Sequence, residues 1–277
     1  AGAVTEAKEL SDGNILSWSE DKTLRVWDRE NGESLLVLEG HTGSINGVAE
    51  LTDGSILSWS EDETLRVWDR ESGESNMVLE GHAGAVEEAK ELSNGNILSC
   101  SEDETFRVWD RIRGKSVALL KDFVPLLSEF IELSKDRILT WCPGIEGDTV
   151  RIWSTKSGEL ISGNKLKIPS KNIYGARELS DGRILFWSNG DLQVWDIKSS
   201  EMLSEHKGHI SPIIGAKELF DGKILSWSCR KDIRLWNSQS GELISILNFN
   251  EEKVSNLITS CPNFYLSWDN ECNPTVL

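Results

Sequence analysis

Three kinds of side chain recur in this 277-residue chain at spacings that could support hydrolysis. Histidine, serine and aspartate stand in the same order and at the same distances in two neighbouring stretches: His41, Ser58 and Asp62, then His82, Ser99 and Asp103. Such a set can hold a general base against a nucleophile. Because the set returns in two adjacent copies, it suits a structural role better than a single active site. We therefore expect no enzyme activity and no cofactor.

The five cysteines indicate neither a metal site nor a disulfide framework. Their number is odd, no Cys-x-x-Cys pair occurs, and no histidine has ligand spacing to a pair of cysteines. We expect free thiols in a reducing compartment, which favours a cytoplasmic protein.

The charge of the chain narrows the classes of partner. Its formal net charge is −17 at pH 7, and the acidic residues are concentrated in the first part of the sequence. Nucleic-acid binding relies on lysine and arginine, and anionic membranes repel an acidic protein, so we expect no nucleic acid and no membrane as partner. A basic protein or peptide would fit an acidic surface, although ordinary solvation explains the same charge.

The histidine, serine and aspartate belong to a cassette that repeats about every 41 residues. The run Ser17–Asp28 returns as Ser58–Asp69 and, with cysteine in place of the first tryptophan, as Ser99–Asp110. Weaker copies are marked by Trp141, Trp187, Trp227 and, in an unfinished seventh copy, Trp268. Units of this kind bury their apolar faces only by stacking on their neighbours.

Each cassette predicts four short antiparallel strands. In the second copy, apolar and β-compatible stretches over 45–51, 55–60, 64–68 and 75–79 are separated by turn residues. Four strands per unit, repeated radially, are typical of a β-propeller. We expect an all-β fold, namely a seven-bladed β-propeller of four-stranded antiparallel blades with six complete blades and an incomplete seventh.

The repeated residues resemble the WD-repeat β-propeller family. Gly40-His41 and Gly81-His82 each precede a Ser-x-Asp-x-Thr-x-x-x-Trp-Asp run. The resemblance covers essentially the whole chain and implies a single domain, 1–277. The implied blades lie at approximately 1–41, 42–82, 83–123, 124–169, 170–209, 210–250 and 251–277. The resemblance says little about the ligand.

In that family a histidine, a serine or threonine, an aspartate and a tryptophan form a hydrogen-bonded network within a blade. The resemblance implies two such networks in this chain: His41, Ser58 or Ser60, Asp62 and Trp68, and His82, Ser99 or Ser101, Asp103 and Trp109. A buried polar network of this kind fixes a unique packing.

Two positions depart from the family pattern. The first strand carries glutamate where an aromatic residue is usual, as at Glu50, and the second strand carries tryptophan where a small residue is usual, as at Trp59. We expect small first-strand residues such as Ala89, Ala176 and Ala216 to make room for the indole. The glutamate either accepts the indole N–H or reaches solvent.

The seventh copy has no fourth strand, and residue 1 follows the position at which a Gly-His pair would stand. We expect the chain to be the C-terminal part of a longer protein with an upstream domain. An upstream strand would then complete the last blade, because an open strand edge invites aggregation.

Positions that differ from blade to blade are candidates for binding a partner. At the start of the first strand, where a propeller lines its central opening, we select Asn46, Glu87, Glu88, Glu129 and Tyr174. The glutamates would form an acidic arc, and Tyr174 would offer an aromatic anchor. The longer loop over 142–148 adds Glu146. Sequence drift without function explains the same variety.

These observations favour a non-catalytic scaffold for protein interaction or ligand sensing, acting as the recognition module of a larger multidomain protein. One alternative is a lectin-like propeller, which requires exposed tryptophans that stack on sugars. Another is a propeller hydrolase, which requires a unique cluster of perturbed groups in a pocket.

Overall fold

The computed structural model describes residues 2–121, 129–142, 148–161, 166–168, 172–230, 232–247, 266–268 and 274–276. Every regular element in these residues is a β-strand. No helix in the described ranges is long and apolar enough to cross a membrane.

Six sheets of four strands follow one another along the chain, and each sheet is termed a blade. Within every blade the strands are neighbours in chain order. Blade one contains β1 (Val4–Glu9), β2 (Ile15–Ser19), β3 (Thr23–Trp27) and β4 (Ser34–Glu39). Blade two contains β5 (Ile45–Glu50), β6 (Ile56–Ser60), β7 (Leu65–Trp68) and β8 (Ser75–Leu79). Blade three contains β9 (Val86–Glu91), β10 (Ile97–Ser101), β11 (Phe106–Asp110) and β12 (Lys115–Leu120).

The later blades repeat the pattern. Blade four contains β13 (Glu129–Leu133), β14 (Arg137–Cys142), β15 (Asp148–Ser154) and β16 (Leu166–Ile168). Blade five contains β17 (Gly175–Glu178), β18 (Ile184–Trp187), β19 (Asp191–Asp196) and β20 (Glu201–Lys207). Blade six contains β21 (Ile213–Glu218), β22 (Lys223–Ser228), β23 (Ile233–Asn237) and β24 (Leu243–Leu247). A last antiparallel pair consists of β25 (Leu266–Trp268) and β26 (Pro274–Val276).

The expected all-β class with four-stranded antiparallel sheets is confirmed. The number of blades and the closure of a ring stay predictions. The chain divides into two compact units. The first comprises Ala1–Ser128, Lys135–Ile138 and Ile152–Ile161, and it includes blades one to three. The second comprises Glu129–Ser134, Leu139–Arg151 and Ser162–Leu277, and it includes blades five and six.

Blades bury their apolar faces against the next blade in the chain. Leu38, in the outer strand of blade one, belongs to the same core cluster as Ile56 and Trp68 of blade two. Leu79 of blade two likewise joins Trp109 of blade three. In blades one to three, each cassette therefore shares a core with the next, as expected for a repeat that cannot fold alone.

In blades two, five and six glycine makes the room for the second-strand tryptophan, which corrects the expectation that the alanines do so. Gly47 pairs across the strands with Trp59, and a Cβ atom on Gly47 would overlap the indole. Gly215 stands in the same relation to Trp227, one residue before Ala216. A larger residue at either glycine would displace the ring.

Candidate interaction surface

The structure brings the histidine, serine, aspartate and tryptophan of blade two together. His41 Nδ1 lies 2.9 Å from Asp62 Oδ2, and His41 Nε2 lies 2.7 Å from Ser58 Oγ. Trp68 Nε1 donates to the same serine oxygen at 2.8 Å. The hydroxyl of Ser60 instead accepts from the Asp62 amide at 3.1 Å. The serine of the network is therefore Ser58.

The same arrangement recurs in blade three and in blade six. In blade three His82 lies 2.9 Å from Asp103 and 2.8 Å from Ser99, and Trp109 donates to Ser99 at 2.8 Å. Ser101 donates to the Gly84 carbonyl instead. The third network comprises His209, Ser226, Asp232 and Trp236, with His209 2.6 Å from Ser226 and 2.9 Å from Asp232. Sequence reasoning missed this network, although Gly208-His209 was its signal.

The protonation states of this network favour structure over catalysis. Burial lowers the pKa of His41, so the ring is neutral at pH 7 and donates from Nδ1 to Asp62. Burial by itself would raise the pKa of Asp62, but hydrogen bonds from the Thr64 hydroxyl, the Thr42 amide and His41 lower it to about 2. Ser58 is fully buried and bonded to both His41 and Trp68, so no substrate reaches its hydroxyl.

A second repeated contact fastens blades two, three, five and six each to the blade before it. The Glu50 carboxylate accepts from the Ser11 amide at 2.8 Å and from the Ser11 hydroxyl at 2.5 Å. Glu91 accepts from the Thr52 amide at 2.7 Å and the Thr52 hydroxyl at 3.0 Å. Glu178 and Glu218 make the same contact with Ser134 and Ser180. The first-strand glutamate therefore caps the first turn of the preceding blade.

This contact overturns the suggestion that the glutamate accepts the indole N–H. Trp59 Nε1 donates to the Glu87 carbonyl at 3.1 Å, and Trp141 Nε1 donates to the Ile173 carbonyl at 3.3 Å. Both acceptors are backbone atoms near the first strand of a later blade. In blades two and four the second-strand tryptophan is thus a link to the next blade.

Four exposed glutamates, Glu61, Glu87, Glu88 and Glu102, define what we term the acidic surface of blades two and three. Burial raises the pKa of Glu87, and the neighbouring Glu102 and Glu61 carboxylates raise it further. Burial also raises the pKa of Glu88, against the opposing effect of Lys90. Because the Glu61 and Glu102 carboxylates repel that of Glu87, an approaching cation would stabilise their charged forms.

Blade three owes part of this surface to a paired exchange of residues. Where blade two pairs Gly47 with Trp59, blade three pairs Glu88 with Cys100. The exchange removes an indole and adds a carboxylate. Burial raises the pKa of the Cys100 thiol to about 12, so this cysteine is protonated and unreactive.

The remaining candidates lie in different environments. The Asn46 side chain donates to the Val86 carbonyl at 2.9 Å, which gives it a role between blades two and three. Tyr174, in the second unit, is 45% exposed and stands immediately before β17. The Glu129 side chain and all of Glu146 lie outside the described residues.

Burial of the tryptophans removes the basis for the lectin alternative in blades one, two and four. Trp18, Trp59 and Trp141 are between 3% and 9% exposed, so their faces are closed to a sugar ring. Across the described part of the chain, no three His, Cys, Asp or Glu side chains are grouped to hold a metal ion.

The comparisons with known proteins match the repeated cassette of this chain. The family model described as "WD domain, G-beta repeat" matches residues 32–69 and 73–110. These two segments carry WD repeats. Each matched segment covers the fourth strand of one blade and the first three strands of the next, in blades one to three. WD repeats generally mediate protein–protein interactions, and proteins that carry them are typically non-catalytic scaffolds.

A curated relative supports the same family. The nuclear distribution protein PAC1 of Yarrowia lipolytica (strain CLIB 122 / E 150) is 42% identical over 48 residues, which is 17% of this chain. The match spans 11% of that protein's length. The likeness therefore concerns the repeat alone. It does not transfer the role of the whole PAC1 protein to this chain.

Proposed function

We propose that this WD-repeat chain is a non-catalytic interaction module whose acidic surface binds a basic segment of a protein partner. The observation that carries the proposal is the mutual proximity of Glu61, Glu87 and Glu102. Burial raises the pKa of Glu87, and the Glu102 and Glu61 carboxylates raise it further. A lysine or arginine side chain placed among these carboxylates would relieve their repulsion. Such complementarity provides specificity and fast association rather than large affinity by itself.

The scaffold beneath the acidic surface supports this role. The buried networks around Ser58 and Ser99 each fix the packing of their own blade, in blades two and three. A rigid surface loses little conformational freedom when it binds, so more of the interaction energy appears as affinity. Asn46 and Trp59, which donate to the backbone of blade three, keep the two blades in register.

The proposal extends to three further candidate residues. We propose Tyr174 as an aromatic contact in the second unit, and Glu129 and Glu146 as further acidic contacts. We also propose that the chain is the sensor or recognition part of a longer cytoplasmic protein, in which seven blades close a ring.

A charge-reversal experiment tests the acidic surface. The probe is a fluorescein-labelled octa-lysine peptide, and its binding is followed by fluorescence anisotropy at several salt concentrations. The test variant carries Glu61→Lys, Glu87→Lys, Glu88→Lys and Glu102→Lys. The control carries the same number of reversals at the exposed glutamates Glu33, Glu39, Glu159 and Glu201.

We expect the test variant to bind the peptide at least about tenfold more weakly than the control, although both have the same net charge. Equal weakening in the two variants would show that only the overall charge of the protein matters, and it would overturn the proposed site.

A further inference from the structure

A groove in the first unit lies at the opposite ends of the strands from the acidic surface. It has a volume of about 680 Å³ and runs past the first turns of blades one and two and the third-to-fourth-strand turns of blades two and three. The acidic surface instead lies at the second-to-third-strand turns and the start of the first strand. In an antiparallel blade these two sets of turns are at opposite ends.

The floor of the groove is apolar. Val26 and Val67 line it as buried side chains, and Leu36 and Met77 line it as partly exposed ones. Leu35, also in the lining, is 48% exposed. These residues leave aliphatic surface open to solvent in a concave site, and the volume falls in the range of sites that hold small ligands.

The rim of the groove carries an excess of negative charge. Arg70 pairs with Asp12 and also with Glu50 at 2.7 Å, and Arg111 pairs with Asp53 and also with Glu91 at 2.9 Å. Each guanidinium is thus shared by two carboxylates and is more than neutralised. Asp69 and the exposed Glu71 add two further carboxylates to the lining. A cation would be attracted to this rim and an anion repelled.

The walls of the groove are held in place before any ligand arrives. The turn of blade two lies on the outer strand of blade one, where the position of a Cβ atom on Gly73 would be 3.5 Å from Leu36 Cδ2. The Arg70 ion pairs fasten the same turn to the first turn of blade one. A site that is already formed loses less freedom on binding.

We propose that this groove binds a short peptide segment in which a lysine or arginine lies beside an aliphatic residue. The aliphatic side chain would cover the floor at Leu36 and Met77, and the cation would lie at the rim near Glu71. The inference concerns a second surface and does not depend on the acidic surface or its partner.

The two methionines of the chain provide a direct test, because Met77 lines the groove and Met202 is a 43% exposed residue of blade five. The protein is labelled with [methyl-13C]methionine and titrated with acetyl-Leu-Lys-Leu-amide. Acetyl-Leu-Glu-Leu-amide and acetyl-Gly-Lys-Gly-amide serve as matched probes. The Met77→Leu variant assigns the two methyl signals.

We expect acetyl-Leu-Lys-Leu-amide to shift the Met77 signal saturably while the Met202 signal stays in place, and the other two tripeptides to shift it less. Glu71→Lys should weaken binding about fivefold, whereas Glu159→Lys, an exposed turn residue of blade four, should not. No Met77 shift up to about 10 mM probe, or equal shifts with the glutamate tripeptide, would overturn the proposal.

Discussion

The junction of blades one and two and the junction of blades five and six use the same polar contact around different cores. Glu50 caps Ser11 at the first junction, and Glu218 caps Ser180 at the second, with amide-to-carboxylate distances of 2.8 and 2.6 Å. The outer strand of blade one contributes the fully buried Leu38, whereas the equivalent position in blade five is His206, which is also fully buried.

The exchange of leucine for histidine introduces a buried polar side chain that requires hydrogen-bond partners. His206 lies edge-on to Trp236, with ring centroids 5.6 Å apart, and its Nε2 is 3.2 Å from the Asn237 carbonyl. The Leu192 backbone is the other polar group that contacts the ring. A leucine at this position needs no hydrogen-bond partner. Burial of the His206 ring therefore costs free energy of desolvation that burial of Leu38 does not.

The largest expected effect on stability comes from the network tryptophan, which blades two and six share. Trp68→Ala and Trp236→Ala each remove a fully buried indole and leave a network serine without its donor. Each should lower the free energy of unfolding of its own unit by about 3–5 kcal/mol. Urea unfolding followed by hydrogen-exchange mass spectrometry locates the loss. A loss below about 1 kcal/mol in either unit would contradict a common role for the network.

The turn cap should distinguish the junctions by a smaller amount. The Glu91 cap lies at the junction of blades two and three, and Glu91 also pairs with Arg111. At the junction of blades five and six, blade six carries Ser238 at the position equivalent to Arg111. Glu91→Gln should therefore cost about 2 kcal/mol and Glu218→Gln about 1 kcal/mol. Equal losses in urea unfolding would show that the arginine adds nothing to the cap.

The pH dependence of the second unit should show the smallest difference. Burial lowers the pKa of His206, and the nearby Arg183 lowers it further. Hydrogen bonds to the backbone of Asn237 and Leu192, together with the Glu205 carboxylate, oppose this shift. Unfolded histidine titrates near 6.5, so stability is fully present above that pH and is lost as the pH falls toward the lower folded pKa.

His206→Leu should raise the stability of the second unit by about 1 kcal/mol and reduce its loss between about pH 7.5 and 5.5. The first unit, whose His41 and His82 have pKa values lowered by burial, should keep its pH dependence. Hydrogen exchange at the two pH values separates the units. An unchanged pH dependence in the second unit would show that His206 is not a source of its acid sensitivity.

Much of the fold could be predicted because the cassette repeats its own strand and turn residues. Ile56–Ser60 and Leu65–Trp68 form strands where the sequence predicts them. Spacing could not decide between Ser58 and Ser60, because both stand on one strand and only the direction of each side chain separates them. The acceptor of the Trp59 N–H was missed because it lies on another blade, 28 positions along the chain.

Affinity capture from a lysate of the source organism tests the proposed function most directly. The native chain, the acidic-surface variant and the charge-matched control are immobilised in parallel, and the retained proteins are identified by mass spectrometry. A protein retained by the native chain and the control but lost by the Glu61, Glu87, Glu88 and Glu102 reversals is the predicted result. Equal retention by all three chains would contradict the claim that this surface binds a partner.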